Sequence, residues 1–395
     1  MPPLSRTPYA LAAALLLVRF ADEWTTFLPA GALEPIRADL HVGYAGASAI
    51  LVALPAGGLL GEFFVIAADY FSRRWIATLG AVGYGAALIA FGLSHSLPVM
   101  IAAAFIWGAS SDAFVHGCEV SLTDLAGDQL PKALSRMNAW AAVGDFLGPL
   151  TLGLFAALGL GWRGAFIGCG AAMFAYATWL ASQRFPPPRP RGQLPNPFAG
   201  VMAIMLDRRV LLLALIMGLF SLLDEPLAAF LIAFMERDHH QTAATANAVV
   251  LAWVAGQFSG YNCYDRLVGQ RPAGSTLRTS AIVMALSLPI AIFAPALAVQ
   301  LPAALVFGVS GAIFYATLQA EVLALRPGQA GSVSAVVSLI GMAGMGFPLA
   351  TGALSDALGL AAGVGLYAVV SAVLLALVLI DGAGRKSGPP PESDW

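Results

Sequence analysis

Arg184-Phe185-Pro186-Pro187-Pro188-Arg189-Pro190-Arg191 is the stretch on which the fold turns. Each of its prolines fixes φ and lacks a backbone N–H, so no membrane-spanning helix can run through it. With the basic residues that follow, as far as Arg209, it reads as a linker over residues 184–209. The apolar run Phe198–Leu206 inside it suits a segment lying along the membrane interface.

Working outward, both flanks break into apolar runs about as long as a bilayer crossing, roughly 20 residues. On the N-terminal side they are Tyr9–Leu33, Tyr44–Ala68, Trp75–Leu93, Leu97–Leu122, Ala133–Leu158 and Trp162–Ala181. On the C-terminal side they are Val210–Met235, Thr242–Cys263, Thr279–Leu297, Leu301–Leu325, Gly331–Leu354 and Ala361–Ile380. The first run is too long and too interrupted, by Arg19, Asp22 and Glu23, for a cleavable signal. The reading is an all-α membrane protein of 12 transmembrane helices in two six-helix bundles, residues 1–183 and 210–383, with a tail over 384–395.

Composition supports it. Of 395 residues 59% are hydrophobic and 11% charged, and the mean hydropathy is +0.79. A water-soluble domain carries about 25% charged residues, so a soluble enzyme is excluded. Cys118, Cys169 and Cys263 are too few for a disulfide framework and sit in apolar runs as small packing residues. No basic tract is long enough to follow a nucleic acid, and no G-x-x-x-x-G-K-[ST] loop occurs, so neither a nucleotide motor nor any cofactor is expected. With both termini on the cytoplasmic side, sixteen of the twenty Lys and Arg residues fall in cytoplasmic loops, three (Arg37, Arg163, Arg237) fall opposite, and Arg19 lies within a span. Adding or removing one span would destroy that bias.

The two halves echo each other. Asp22-Glu23 recurs as Asp224-Glu225, Phe105-Ile106-Trp107-Gly108 as Leu305-Val306-Phe307-Gly308, Pro149 as Pro348 and Asp69 as Asp265, at offsets of 202, 200, 199 and 196. A duplicated six-helix unit with loops of slightly different length explains the drift.

Two motifs now give the chain a specific likeness. The loop after the second run reads Ala67-Ala68-Asp69-Tyr70-Phe71-Ser72-Arg73-Arg74, and its second copy reads Asp265-Arg266-Leu267-Val268-Gly269-Gln270-Arg271. It resembles the G-x-L-a-D-r-x-G-r-r loop of the major facilitator superfamily, with Val65 and Ser72 where the family has glycine. The fifth run carries Gly144-x-x-x-Gly148-Pro149-x-x-Leu152-Gly153, similar to the family's antiporter motif with one glycine lost. The resemblance covers nearly the whole chain and implies the major facilitator fold, with spans 1, 4, 7 and 10 lining a central pathway. It implies a gating role for Asp69, Arg73, Arg74, Asp265, Arg266, Gly148 and Pro149. Proton-coupled drug exporters of the family carry an arginine four residues before the fourth-span glycine, where this chain has Ala104, so their coupling scheme does not transfer.

What remains is charge inside the membrane. An acid at the centre of a span costs about 2.5–3.5 kcal/mol on insertion scales, so such residues face a cavity, one another or a ligand. Arg19, Asp22 and Glu23 share a helix face by i, i+3 and i, i+4 spacing. Asp112, His116 and Glu119 form a stripe on the fourth span. Glu119, like Glu321 in the tenth span, lies only a turn or two from the cytoplasmic end, within snorkelling reach of it, and Glu321 is left out of the site. Asp224 and Glu225 stand in the seventh span, and Tyr315 and Gln319 in the tenth. These residues are the expected proton and substrate site, with Glu62 and Asp145 as second-rank candidates. The function that follows is a proton-coupled secondary transporter exporting a small organic molecule, working as a monomer in a bacterial inner membrane. Import of a nutrient or metabolite, or carriage of an amphiphile such as a lysolipid, fits the same pattern. An intramembrane enzyme built on Asp112, His116 and Glu119, or a sensor that binds without carrying, are the readings from other classes.

Overall fold

The computed structural model describes residues 9–60, 72–126, 130–185, 207–269, 271–325, 336–337, 339–342 and 344–385. Asp69 and Glu62, the linker between 186 and 206, and most of the segment between 326 and 343 lie outside them. Among the described residues every regular element is a helix.

The chain opens as one helical rod broken by single-residue turns: α1 (Tyr9–Leu16), α2 (Val18–Thr26), α3 (Leu28–Gly31) and α4 (Leu33–Leu40). Backbone bonds such as Ala21 N–H to Leu17 O, 3.1 Å, carry the helix across the breaks. The apolar run ends at Leu33, and α4 is polar, with Glu34, Arg37 and Asp39. Then come α5 (Tyr44–Gly58), α6 (Arg73–Leu93), α7 (Leu97–Ala126), α8 (Leu130–Ala157) and α9 (Gly161–Ser182). The second half gives α10 (Arg208–Ser221), α11 (Glu225–Arg237), α12 (Ala243–Asn262), α13 (Tyr264–Val268), α14 (Ala273–Phe293), α15 (Leu297–Ala324), α16 (Phe347–Leu358) and α17 (Leu360–Arg385).

Among the described residues, eight helical segments are long and apolar enough to cross a bilayer: α6, α7, the Trp140–Ala157 part of α8, α9, α10 with α11, α14, α15 and α17. The α1–α4 rod, α5, α12 and α16 take the places of the other four predicted spans. Two predicted spans differ in detail. The seventh is interrupted at residues 222–224, because Pro226 in the first turn of α11 removes an N–H and its ring crowds the carbonyl four residues back. The ninth is Ala273–Phe293 rather than Thr279–Leu297. Pro295 ends it by forcing Ala294 into an extended conformation, ψ 137.

Backbone packing divides the chain into two compact units. The first is Met1–Pro195 with Ala228–Arg237 and Met345–Leu360; the second is Asn196–Leu227, Asp238–Gly344 and Ala361–Trp395. In the first, an aromatic knot of Tyr84, Phe91, Trp107 and Phe166 ties α6, α7 and α9 together. Phe91 stacks on Phe166 with centroids 4.6 Å apart, and Trp107 lies 5.7 Å from Tyr84. In the second, Trp253 of α12 lies against Phe307 of α15 at 5.4 Å.

The same helix crossing is built in both units. A Cβ on Gly57 would sit 1.9 Å from the Phe105 carbonyl oxygen, and one on Gly108 would sit 1.9 Å from that of Leu54. In the second unit a Cβ on Gly256 would sit 2.2 Å from the Leu305 oxygen, and one on Gly308 would sit 2.0 Å from that of Trp253. Helix backbones touch at both crossings, which only glycine permits. Gly108 and Gly308 are a pair that the sequence repeat aligns, whereas Gly57 and Gly256 stand outside it.

Candidate functional site

In the first unit, α2 places Arg19, Asp22 and Glu23 against α7. The Arg19 guanidinium donates from Nε to Glu119 Oε1 at 2.8 Å, a bond across two helices one hundred residues apart. Its Nη1 lies 3.8 Å from Asp22 Oδ2 and 3.7 Å from Glu23 Oε1, close enough for strong attraction but beyond hydrogen-bond length. Its hydrogen-bonded partner is therefore Glu119. On the other side of that carboxylate, His116 Nδ1 stands 3.5 Å from Glu119 Oε2. Glu119, which by depth alone could have reached toward the membrane surface, instead joins the cluster.

Asp22 is buried, 8% exposed. Its Oδ1 accepts hydrogen bonds from the Ser111 hydroxyl on α7 and from the Tyr84 hydroxyl on α6, the latter at 3.2 Å. Tyr84 also shares a hydrogen bond with Thr25 on α2. One carboxylate thus joins three helices. Tyr84 and Thr25 are not among the residues that the sequence singles out. The available signal was a tyrosine in mid-span between two glycines. A Cβ on Gly83 would meet Ser110 Oγ at 2.6 Å and one on Gly85 would meet the Gly170 oxygen at 2.8 Å, so those glycines press α6 onto α7 and α9.

Asp112 is half-buried and faces α5, where a Cβ on Gly58 would lie 3.1 Å from its Oδ2. The second unit holds Asp224, Glu225, Tyr315 and Gln319. Asp224 is exposed in the break before α11, and Glu225 is the first residue of α11. Tyr315 stacks on Phe220 of α10 with centroids 5.6 Å apart, and Phe220 stacks on Phe314 at 5.5 Å. Gln319 is exposed, while Glu321 lies 3.6 Å from Arg209.

The residues expected to gate the carrier are placed as follows. Arg73 is fully buried at the start of α6. Arg74 donates to the Ala181 carbonyl at the end of α9 and lies over the Trp75 ring at 5.4 Å. It therefore caps a helix of its own unit. Asp69 and the side chain of Asp265 lie outside the described residues, and Arg266 is exposed on α13. Gly144 and Gly148 bring α8 onto the first rod. A Cβ on Gly144 would be 2.6 Å from the Phe20 oxygen, and one on Gly148 2.9 Å from Phe27 Cβ. Trp24 Nε1 donates to Thr151 Oγ1 at 2.7 Å across the same contact, next to Pro149 within α8.

Three carboxyl groups therefore surround one guanidinium and one imidazole, and with all three ionised the group carries a negative excess whether or not His116 holds a proton. Such a group binds protons or cations in preference to anions.

The family model described as Major Facilitator Superfamily matches residues 14–347. No curated protein sequence matches the chain. Among solved structures, the chain is similar to a bacterial homologue of the human lysosomal transporter Spinster in an inward-facing and occupied conformation, at TM-score 0.78 and 16% identity over 96% of this chain and 98% of that one. The same homologue in an inward-facing and unoccupied conformation gives TM-score 0.71 and 17% identity, over 95% and 96%. The nucleoside transporter NupG gives TM-score 0.76 and 12% identity, over 96% and 99%. At these identities the likeness is one of fold.

Proposed function

Because this chain belongs to the Major Facilitator Superfamily, and is a membrane-embedded secondary transporter working by alternating access rather than an enzyme, we propose that it exchanges protons for a small organic substrate, exporting the substrate as protons enter. The observation that carries this reading is the unequal cluster of Arg19, Asp22, Glu23, His116 and Glu119.

In a low-dielectric setting, like charges a few ångströms apart are costly to maintain. The cluster lowers that cost by taking up a proton or by receiving a positively charged or hydrogen-bond-donating group. Proton and substrate then compete for one region of negative potential, and mutually exclusive occupancy is the condition for exchange. Arg19 serves as the movable partner. It holds Glu119 when Asp22 is neutral, and swings toward Asp22 and Glu23 when Glu119 is neutral. Ser111 and Tyr84 hold the Asp22 carboxyl in place through both states. Asp112 extends the acidic stripe along α7. In the second unit, taken by itself, Asp224, Glu225 and Gln319 are the polar candidates, and the Phe220–Tyr315 stack offers an aromatic face suited to an organic cation.

The antiporter-like Gly144-x-x-x-Gly148-Pro149 motif supports export, and Asp69, Arg73, Arg74, Asp265 and Arg266 are assigned to gating by the same family resemblance. The carrier acts as a monomer in a bacterial inner membrane, with both termini in the cytoplasm, an orientation that the loop charges support.

The test is flux in vesicles reconstituted with purified protein, using ethidium as an organic cation and uridine as a neutral metabolite. Ethidium accumulating in inside-acid vesicles, to a degree that grows with the pH difference, is the expected result. Uridine moving in the same direction as protons would overturn exchange in favour of import. Flux of both probes without regard to the pH difference would remove proton coupling altogether.

A further inference from the structure

One end of the first unit is fastened by contacts between segments from opposite halves of the sequence. Glu34 on α4 is the hub. Its Oε1 accepts from Arg37 Nη2 and from Arg237 Nη1, each at 2.8 Å, and its Oε2 accepts from Arg37 Nε at 3.0 Å and from the Tyr44 hydroxyl at 2.9 Å. Arg37 also lies over the Tyr44 ring, 4.8 Å from its centroid. Arg237 is the last residue of α11, so it comes from the second half of the chain.

A second fastening stands beside Tyr44. The first turn of α5 has no cap of its own, because its N-cap residue is Gly43. Asp356 of α16 supplies one instead: its two oxygens accept the backbone N–H of Tyr44 at 2.7 Å and of Ala45 at 2.9 Å. A Cβ on Gly43 would sit 2.6 Å from Asp356 Oδ2, so the carboxylate occupies the space in which a local capping side chain would lie. One turn earlier on α16, Gly352 lets that helix rest on α5, for a Cβ there would be 2.7 Å from the Tyr44 oxygen.

Both fastenings are built to come apart. If Arg237 leaves, Glu34 keeps Arg37 and Tyr44, and Arg237, whose side chain is 51% exposed, passes to water. If Asp356 leaves, the start of α5 presents the Tyr44 and Ala45 N–H groups, which water can satisfy as it follows the departing carboxylate. No buried charge is stranded by either step, which separates these contacts from a permanent structural ion pair.

We propose that the Arg237–Glu34 pair and the Asp356 cap of α5 form a latch joining the two sequence repeats at the end of the carrier away from the Arg73-Arg74 loop, and that it releases each time the carrier opens on that side. The inference rests on alternating access and is independent of which groups carry the proton.

Spin labels on Ala38→Cys and Ala357→Cys, both exposed positions at this end, report its opening by pulsed electron resonance in a background with Cys118, Cys169 and Cys263 changed to alanine. The parent is expected to give a dominant short distance. Arg237→Gln combined with Asp356→Ala is expected to raise the longer-distance population by roughly fivefold to tenfold, the loss of one exposed pair and one helix cap. Asp356→Asn keeps one acceptor oxygen for the two N–H groups and is expected to fall between the parent and Asp356→Ala. An unchanged distribution in the double variant, or Asp356→Asn opening as far as Asp356→Ala, overturns the latch. Should the double variant fail to fold, Arg237→Gln alone carries the same expectation at smaller amplitude, since it touches no core residue.

Discussion

Asp22 shows how much of the site a single carboxylate organises: Ser111 and Tyr84 donate to it from two other helices while it competes with Glu23 and Glu119 for Arg19. Tyr84→Phe keeps the buried ring in the aromatic knot and deletes only the hydroxyl. Gradient-driven ethidium accumulation is expected to fall severalfold in this variant, with a stability loss of about 1–2 kcal/mol by thermal shift. Unchanged accumulation would mean that Tyr84 only packs. The acids and Arg19 were legible in the sequence because charge is expensive within an apolar run. Tyr84 was not, because a lone hydroxyl costs little in a span, and it reaches Asp22 across a separation of 62 residues.

The glycine crossings show the same division at the level of helices. The repeat of Phe105–Gly108 in Leu305–Gly308 was visible as a pattern, yet its meaning, two helix backbones in contact, became plain only when Gly57 and Gly256 were found opposite them. In a chain with 42 glycines a single one carries no signal. Gly108→Val would drive a side chain into the Leu54 carbonyl and force α5 and α7 apart, whereas Gly153→Ala meets nothing within 4 Å. Folded yield measured by fluorescence gel filtration should collapse for the first and hold for the second. Element ends were less legible than element existence. Ser275, Thr276 and Arg278 made the start of α14 look like loop, and the apolar residues after Pro295 made its end look like helix.

For the molecule as a whole, loop charge and internal repetition specified twelve spans in two halves, but not the fastening between α4, α5, α11 and α16. Its charges lie outside the apolar runs, where Arg37 and Arg237 counted only toward orientation. Burial pushes the Glu34 carboxyl up, but Arg37, Tyr44 and Arg237 donate to it and more than offset that push, holding it below the usual carboxylate range. A lowered folded value stabilises the ion pair above the ordinary carboxylate pKa and fails only as pH falls through the folded value. With Glu236 as the neighbouring acid, the Ala38→Cys/Ala357→Cys distance should therefore stay constant from about pH 8 to about pH 5. A distance that lengthens within that window would show a group other than Glu34 controlling the latch.

The central claim is that the Arg19 cluster carries the coupling proton, and the most direct test compares two kinds of ethidium flux in vesicles containing Asp22→Asn: exchange without a pH difference, and accumulation driven by one. The account predicts that exchange persists while gradient-driven accumulation is lost; full gradient-driven accumulation in Asp22→Asn would contradict it.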